Sequence, residues 1–128
     1  MCARPISVPD DWTTGFARPQ NRWLPICSLP RLTAAGIVAV RVAGVDLALI
    51  ADGGVVAACE RACPHEQADL ACGRVVGGRL ACPRHDASFS LVDGTISDGW
   101  PSRPLRLYPV RAERGEVFIN AASLKSVR

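Results

Sequence analysis

Two cysteine and histidine pairs constrain this 128-residue chain more than any other sequence feature. Cys63 is followed two positions later by His65, and Cys82 is followed three positions later by His85. These two histidines are the only ones in the sequence. Gly77-Gly78 lies between the pairs and is a hairpin signal that would bring the two short loops face to face. The sequence therefore predicts that four ligands converge on one metal site.

Two thiolates and two imidazoles suit more than one metal centre. They are a ligand set of structural zinc, and they also hold a 2Fe-2S cluster in which cysteines bind one iron and histidines the other. Zinc fingers usually pair like with like, whereas each loop here contains one cysteine and one histidine. A proline follows each cysteine and reduces the backbone entropy lost when the ligands are fixed. The mixed loops favour the cluster, with zinc as the alternative.

The rest of the chain consists of short β-favouring runs separated by turn signals. IVAVRVA and VDLALIA flank Ala43-Gly44, and RLYPVRA and EVFIN flank Arg114-Gly115, which predicts hairpins. Val38, Val40 and Val42 alternate along one strand as a half-buried sheet requires. No stretch of a dozen residues keeps a helical period. The prediction is an all-β fold, an antiparallel β-sandwich or a small barrel.

The pattern C-x-H, sixteen residues, C-x-x-H resembles that of the Rieske iron-sulfur proteins, and the similarity extends over roughly residues 23–120. It implies a Rieske-type 2Fe-2S cluster in a cluster-binding subdomain inserted into the β-fold. The segment GWPSRPL looks like the loop that covers the cluster, which would put Trp100 or Pro101 near it. The implied ligands are Cys63 and Cys82 on one iron, and His65 and His85 on the other.

Several positions depart from the pattern of the family. Glycine commonly stands where this chain has Gln67 and Asp86, and we expect the Asp86 carboxylate to lower the reduction potential by opposing added negative charge. Respiratory members carry an extra cysteine in each loop, at the places of Ala68 and Arg84, so no loop disulfide is expected. The serine that donates to a bridging sulfide is replaced by Ala87. These departures predict a potential in the lower part of the Rieske range of roughly -150 to +300 mV.

The remaining cysteines and the loop charges receive simpler interpretations. Cys27 and Cys59 lie in apolar strand contexts and are predicted to be small core residues. Cys72, between the ligand loops, is predicted to be a buried free thiol. Three charged residues have two interpretations, either as groups that steer a partner towards the histidines or as solvated loop charges: Arg84, Asp98 and Arg103.

Domain organisation follows from these assignments. We expect an extended N-terminal arm over residues 1–21, a Rieske domain over 22–122 with its cluster-binding subdomain at about 61–90, and a tail over 123–128. The net charge of +3 is spread along the chain, which argues against nucleic-acid binding. The longest apolar tract is interrupted by charges, so no membrane segment is expected. The first twenty residues lack a signal-peptide pattern, which predicts a cytoplasmic location.

A cluster with every position ligated exchanges electrons and does not bind substrate, so the chain is predicted to be a carrier and not an enzyme. No histidine remains for the mononuclear iron of a ring-hydroxylating oxygenase. The resemblance implies a ferredoxin that passes electrons from a flavin-dependent NAD(P)H reductase to a terminal oxygenase. The alternatives are a Rieske-type small subunit of a larger enzyme, such as an assimilatory nitrite reductase, and a structural zinc domain that mediates protein interaction.

Overall fold

The computed structural model describes residues 6–8, 23–64, 68–83, 87–97 and 102–127. Within these ranges the chain forms short strands, one α-helix and two 3-10 helices at Leu70–Cys72 and Ala121–Val127. The remaining elements, in chain order, are β1 (Ile6–Val8), β2 (Trp23–Ser28), α1 (Leu29–Ala35), β3 (Ile37–Val42), β4 (Val45–Asp52), β5 (Val55–Glu60), β6 (Arg74–Val76), β7 (Arg79–Ala81), β8 (Ser88–Ser90), β9 (Leu107–Tyr108), β10 (Val110–Glu113) and β11 (Glu116–Asn120).

The described strands form three sheets. The first has the order β1-β3-β4-β5-β9, with β1 parallel to β3 and every other neighbour antiparallel. The second has the order β10-β11-β2 and the third the order β6-β7-β8, and both are antiparallel. The predicted all-β class is confirmed. The sheets do not close on themselves, so of the two predicted architectures the sandwich describes this chain and the barrel does not.

The hairpin turns occur where glycine-containing pairs predicted them. Ala43 and Gly44 both have positive φ, 51° and 84°, which matches the two-residue turns that suit the twist of β-hairpins. Arg114 and Gly115 repeat this geometry between β10 and β11. The run RLYPVRA differs from the prediction because it divides at Pro109, with β9 pairing with β5 and β10 with β11. A proline has no N–H for a continuous ladder, so the chain changes sheets there.

Helix α1 was not predicted, because its seven residues are too few to show a period. Its sequence signal is in the caps. The Ser28 side chain accepts a hydrogen bond from the Arg31 N–H at 3.2 Å, and Pro30 lies in the first turn. Gly36 ends the helix at φ 81°, with its N–H donating to the Leu32 carbonyl. Leu32 is fully buried and fixes the helix to the core.

Two apolar clusters lie on opposite faces of the first sheet. Val40, Val42, Leu47 and Leu49 face the second sheet, which confirms the predicted alternation. The other face of β4 presents Ala48 and Ile50 to the third sheet and the two cysteine loops. Strand β4 is therefore buried on both faces, and the cysteine loops rest on a central sheet that is itself supported from behind.

The two strand cysteines lie in the core as predicted. Cys27 belongs to the cluster between the first and second sheets, and Cys59 to the opposite cluster. The prediction for Cys72 was wrong, because this residue is exposed and disulfide-bonded. Leu70 takes the inward position in that short 3-10 helix, which leaves Cys72 facing outward. No helix within the described ranges is long and apolar enough to span a lipid bilayer.

Candidate metal centre

The two cysteines of the predicted site occupy matching positions in two short loops. Cys63 is fully buried and Cys82 is 3% exposed. The Cys63 N–H donates to the Ala68 carbonyl at 2.8 Å, and the Cys82 N–H donates to the Ala87 carbonyl at 2.9 Å. Each loop is thus closed by the same bond across five residues. This repetition presents the two thiols from equivalent backbone positions.

Both cysteines belong to one apolar cluster, which also contains Leu80, Phe89 and Leu105. Leu80 on β7 pairs with Phe89 on β8, so the hairpin that carries the second loop places its large side chains beneath the thiols. Burial among such groups keeps water away and strengthens electrostatic interactions. The two thiols therefore share one dry environment, as two ligands of the same iron require.

An ion pair closes the stem of the first cysteine loop. Arg61 donates from Nε and Nη2 to the two carboxylate oxygens of Asp69, at 2.8 and 2.7 Å. Ala62 and Asp69 also form a β-bridge, and the Ala71 N–H donates to Asp69 at 2.9 Å. The hydrogen bonds from Arg61 are the main reason that the pKa of the Asp69 carboxyl lies below its usual value. The residues just outside the loop are thus held by a bidentate contact.

A second arginine closes the stem of the other cysteine loop. Arg79 on β7 donates from Nε to the Ser88 hydroxyl at 2.9 Å, and from Nη2 to the Ser88 and Thr95 carbonyls at 3.1 Å each. The Ser88 N–H donates to the Ser97 hydroxyl at 3.1 Å. Ser88 therefore forms hydrogen bonds with Arg79 and Ser97 at the base of the loop. The preceding residue, Ala87, is buried and stands where the resemblance implies a donor serine.

A third arginine anchors the segment that follows residue 101. Arg103 donates from Nη1 and Nη2 to the two carboxylate oxygens of Glu60, at 2.7 and 2.8 Å. The Arg106 N–H donates to the same carboxylate at 2.7 Å, and the Glu60 N–H donates to the Arg106 carbonyl at 3.0 Å. Arg103 is thus ion-paired, which differs from the predicted solvated charge.

The predicted ligands fall partly outside the described residues. Cys63 and Cys82 are brought together in one cluster, and their buried thiols suit a sulfur-preferring iron site. The other residues singled out in and around the loops lie outside the described ranges: His65, Gln67, Arg84, His85, Asp86, Asp98, Trp100 and Pro101. The described half of the donor set therefore fits a cluster with two thiolates on one iron.

The model of the Rieske [2Fe-2S] domain matches residues 22–109. The chain belongs to the Rieske family. Its cofactor is accordingly a Rieske-type 2Fe-2S cluster, which confirms the cofactor implied by the ligand spacing and sets the zinc alternative aside.

Several relatives of known role are ferredoxins. The ferredoxin component of the naphthalene 1,2-dioxygenase system of Pseudomonas putida is 26% identical over 99 residues, covering 77% of this chain and 95% of the relative. Ferredoxin CarAc of Metapseudomonas resinovorans is 30% identical over 98 residues, covering 76% and 92%. In a solved complex of reduced oxygenase and oxidized ferredoxin in carbazole 1,9a-dioxygenase, the matching chain is 29% identical with a TM-score of 0.68, covering 77% and 92%. This Rieske chain therefore matches ferredoxins over nearly their whole length.

Sequence reasoning missed the residues that close the Rieske loop stems. Glu60, Arg61, Asp69 and Arg79 stand two to six residues from Cys63 or Cys82, and their sequence signal is only that each charge flanks a loop. Long charged side chains are usually solvated, so this signal does not separate them from surface residues. Their partners were set by strand pairing, which brings distant segments of the chain together.

Proposed function

We propose that this protein is a cytoplasmic ferredoxin that carries single electrons from a flavin-dependent NAD(P)H reductase to a terminal ring-hydroxylating oxygenase. In this proposal Cys63 and Cys82 bind one iron of the cluster, and His65 and His85 bind the other. The observation that carries it is the match over nearly the full length of the naphthalene 1,2-dioxygenase ferredoxin component and of a chain in the oxygenase–ferredoxin complex of carbazole 1,9a-dioxygenase. Burial of both cysteines, with Cys63 at 0% and Cys82 at 3% exposure, also supports a carrier role.

The residues of this chain have a defined part in such a carrier. Held by Cys63, His65, Cys82 and His85, a 2Fe-2S cluster would supply the one-electron exchange. The N–H groups of Cys63 and Cys82, bonded to the Ala68 and Ala87 carbonyls, would hold the two cysteines in place, so that little reorganisation at these residues accompanies each transfer. Leu80, Phe89 and Leu105 are buried in the same cluster as the two cysteines and would exclude water there. In this proposal the histidines provide the exchange surface. Transient docking there needs only a small contact area.

An EPR spectrum of the dithionite-reduced protein tests the ligand set. We expect the low average g-value of mixed histidine and cysteine ligation, and Cys82→Ala is expected to lose the cluster. A spectrum of an all-cysteine cluster, or a colourless protein that contains zinc, would contradict the proposal.

Electron transfer tests the partner assignment. A flavin-dependent reductase with NADH should reduce the visible chromophore of the purified protein, and addition of an oxygenase with its substrate should reoxidise it with formation of product. The protein should elute alone from a sizing column. Elution only as part of a larger enzyme would instead support the small-subunit alternative.

A further inference from the structure

Arg79 places a positive charge next to the second cysteine loop. It lies on β7, three residues before Cys82, and its guanidinium reaches across to Ser88 on the neighbouring strand β8. Ser88 pairs with Ala81, the residue directly before Cys82. One residue further along both strands, the Cys82 N–H donates to the Ala87 carbonyl and closes the loop. The guanidinium is therefore fixed at the base of the loop that holds one of the proposed thiolate ligands.

The described acceptors of this guanidinium are all uncharged. They are the Ser88 hydroxyl at 2.9 Å and the Ser88 and Thr95 carbonyls at 3.1 Å each. No carboxylate within the described ranges lies at ion-pair distance from Arg79. By contrast, Arg61 and Arg103 are each paired with a carboxylate near the first cysteine loop. The contacts of Arg79 thus hold its charge in place without neutralising it.

The surroundings of Arg79 reduce the screening of this charge. Arg79 is half-buried, and the adjacent cross-strand pair of Leu80 and Phe89 is fully buried in the same apolar cluster as Cys82. Electrostatic interactions across a packed apolar region are screened less than those through water and salt. Arginine also keeps its proton up to a pH of about 12. A fixed positive charge therefore acts on the second cysteine loop at every working pH.

We propose that Arg79 tunes the cluster, raising its reduction potential through a charge that no described carboxylate balances. The inference rests on the proposed ligand set, since it requires a cluster bound at Cys82. Two ferric ions, two sulfides and two thiolates make the oxidised centre neutral, so the reduced centre carries one negative charge. A nearby positive charge stabilises the reduced form more than the oxidised form. Arg79 is not a ligand, so its effect is on the potential and not on the ligand set.

The test compares Arg79→Gln with Arg79→Lys in the full cluster-loaded chain. Gln removes the charge, whereas Lys keeps the charge but loses the planar fork that donates to several acceptors. Voltammetry at one ionic strength should give a lower potential for Arg79→Gln than for the unmodified chain. The potential of Arg79→Lys should stay close to that of the unmodified chain. An unchanged or higher potential in Arg79→Gln, or an equal fall in both variants, would overturn the proposal.

The half-life of the cluster under excess chelator measures the structural contribution of Arg79 separately. Both variants lose hydrogen bonds to Ser88 and Thr95, so we expect both to shorten the half-life, and only the potential distinguishes them. If Arg79→Gln does not retain its cluster, Arg79→Met provides a second uncharged side chain of similar length. Loss of the cluster from both uncharged variants would show that Arg79 mainly holds the loop, and would overturn the tuning role.

Arg114→Gln is the matched control for the loss of one positive charge. Arg114 is exposed in the turn between β10 and β11, in the second sheet, and the second sheet packs against the face of the first sheet that is opposite the cysteine loops. Water and salt screen an exposed charge at such a position. Its potential should equal that of the unmodified chain. A fall as large as that of Arg79→Gln would show that the potential follows net charge alone, against the proposal.

The EPR spectrum of the unmodified reduced protein distinguishes the two levels of inference. If that spectrum lacks mixed histidine and cysteine ligation, the proposed ligand set fails whatever the variants do. If the mixed ligation is present and Arg79→Gln behaves like Arg114→Gln, only the tuning role of Arg79 fails.

Discussion

Individual buried groups set which thiols of this protein can react. Cys59 is fully buried, and burial raises the pKa of its thiol to about 12. Burial is also the main reason that the pKa of Cys27 is raised. The thiolate is the reactive form of cysteine, so both access and ionisation are suppressed at these positions.

We therefore expect Cys27 and Cys59 to resist alkylation by iodoacetamide in the folded, cluster-loaded protein at pH 8. At that pH almost none of the Cys59 thiol would be ionised, because burial raises its pKa far above 8. Mass spectrometry of tryptic peptides measures the extent of reaction, and both cysteines should react fully in guanidinium chloride. Rapid labelling of Cys59 without unfolding would show that the first sheet opens more readily than its packing indicates.

Tyr108 carries a hydroxyl that lacks a hydrogen-bond partner among the described residues. The oxygen is buried, and burial is the main reason that the pKa of the phenol is raised. Replacing a buried group that lacks a partner with an apolar group of the same shape removes a desolvation cost. We expect Tyr108→Phe to increase the free energy of unfolding by about 1 kcal/mol.

Thermal unfolding of the cluster-loaded protein measures this effect. Tyr108→Leu provides the comparison, because it removes the ring packing as well as the hydroxyl and should destabilise the protein. A loss of stability in Tyr108→Phe would mean that the hydroxyl is bonded, for example to an ordered water.

At the scale of elements, the sheets place the metal centre by close backbone contacts. Gly94 follows β8, and a Cβ atom there would collide with the carbonyl oxygen of Leu105. The Leu105 N–H also donates to the Gly94 carbonyl at 2.8 Å. This contact ties the turn after the second cysteine loop to the segment that Glu60 anchors. A side chain at position 94 would therefore push apart two elements that support the centre.

Gly94→Ala and Gly44→Ala form a matched pair that tests this contact. Both glycines have nearly the same φ, 82° and 84°, so both substitutions meet the left-handed strain of about 1–2 kcal/mol. Only Gly94 is crowded, since a Cβ at Gly44 would meet nothing within 4 Å. We expect Gly94→Ala to cost about 1–3 kcal/mol more than Gly44→Ala in thermal unfolding and to lose its cluster faster. Equal costs would show that the turn shifts freely.

At the scale of the whole molecule, three layers hold the site. The second sheet supports the first, and the first supports the cysteine loops through β4, which is buried on both faces. Arg61, Arg79 and Arg103 then form hydrogen bonds with the segments around the two cysteine loops. Arg61 and Arg103 are paired with carboxylates, so they add little net charge there.

We expect the reduction potential of the protein to lie in the lower part of the Rieske range of roughly -150 to +300 mV. Ala87 supplies no hydroxyl to the cluster, and a carboxylate at Asp86 opposes added negative charge. Asp86→Gly should raise the potential by on the order of tens of millivolts, as removal of one nearby charge predicts. Voltammetry at a single ionic strength measures both values. An unchanged or lower potential in Asp86→Gly would refute the role of this carboxylate.

The sequence alone determined the class of the fold, the cofactor and the two cysteine loops. Strand alternation and two-residue turns are local patterns, so the β3–β4 hairpin and the faces of Val40 and Leu47 were predictable. The spacing of one cysteine and one histidine in each loop is also a local pattern, so it could be read directly from the sequence. The short helix was missed although Ser28 and Gly36 mark its ends, because seven residues do not establish a period.

Only the tertiary structure decided which residues hold the segments around the two cysteine loops together. The partner of Glu60 lies 43 residues away in the chain, and that of Arg79 lies 9 residues away across a loop. Charged side chains have no pattern that identifies a partner, since sheet pairing brings the two ends of each contact together. The outward position of Cys72 was likewise set by the burial of Leu70 in the same turn. Local patterns predict strands and candidate ligands, whereas contacts between distant segments depend on the packed fold.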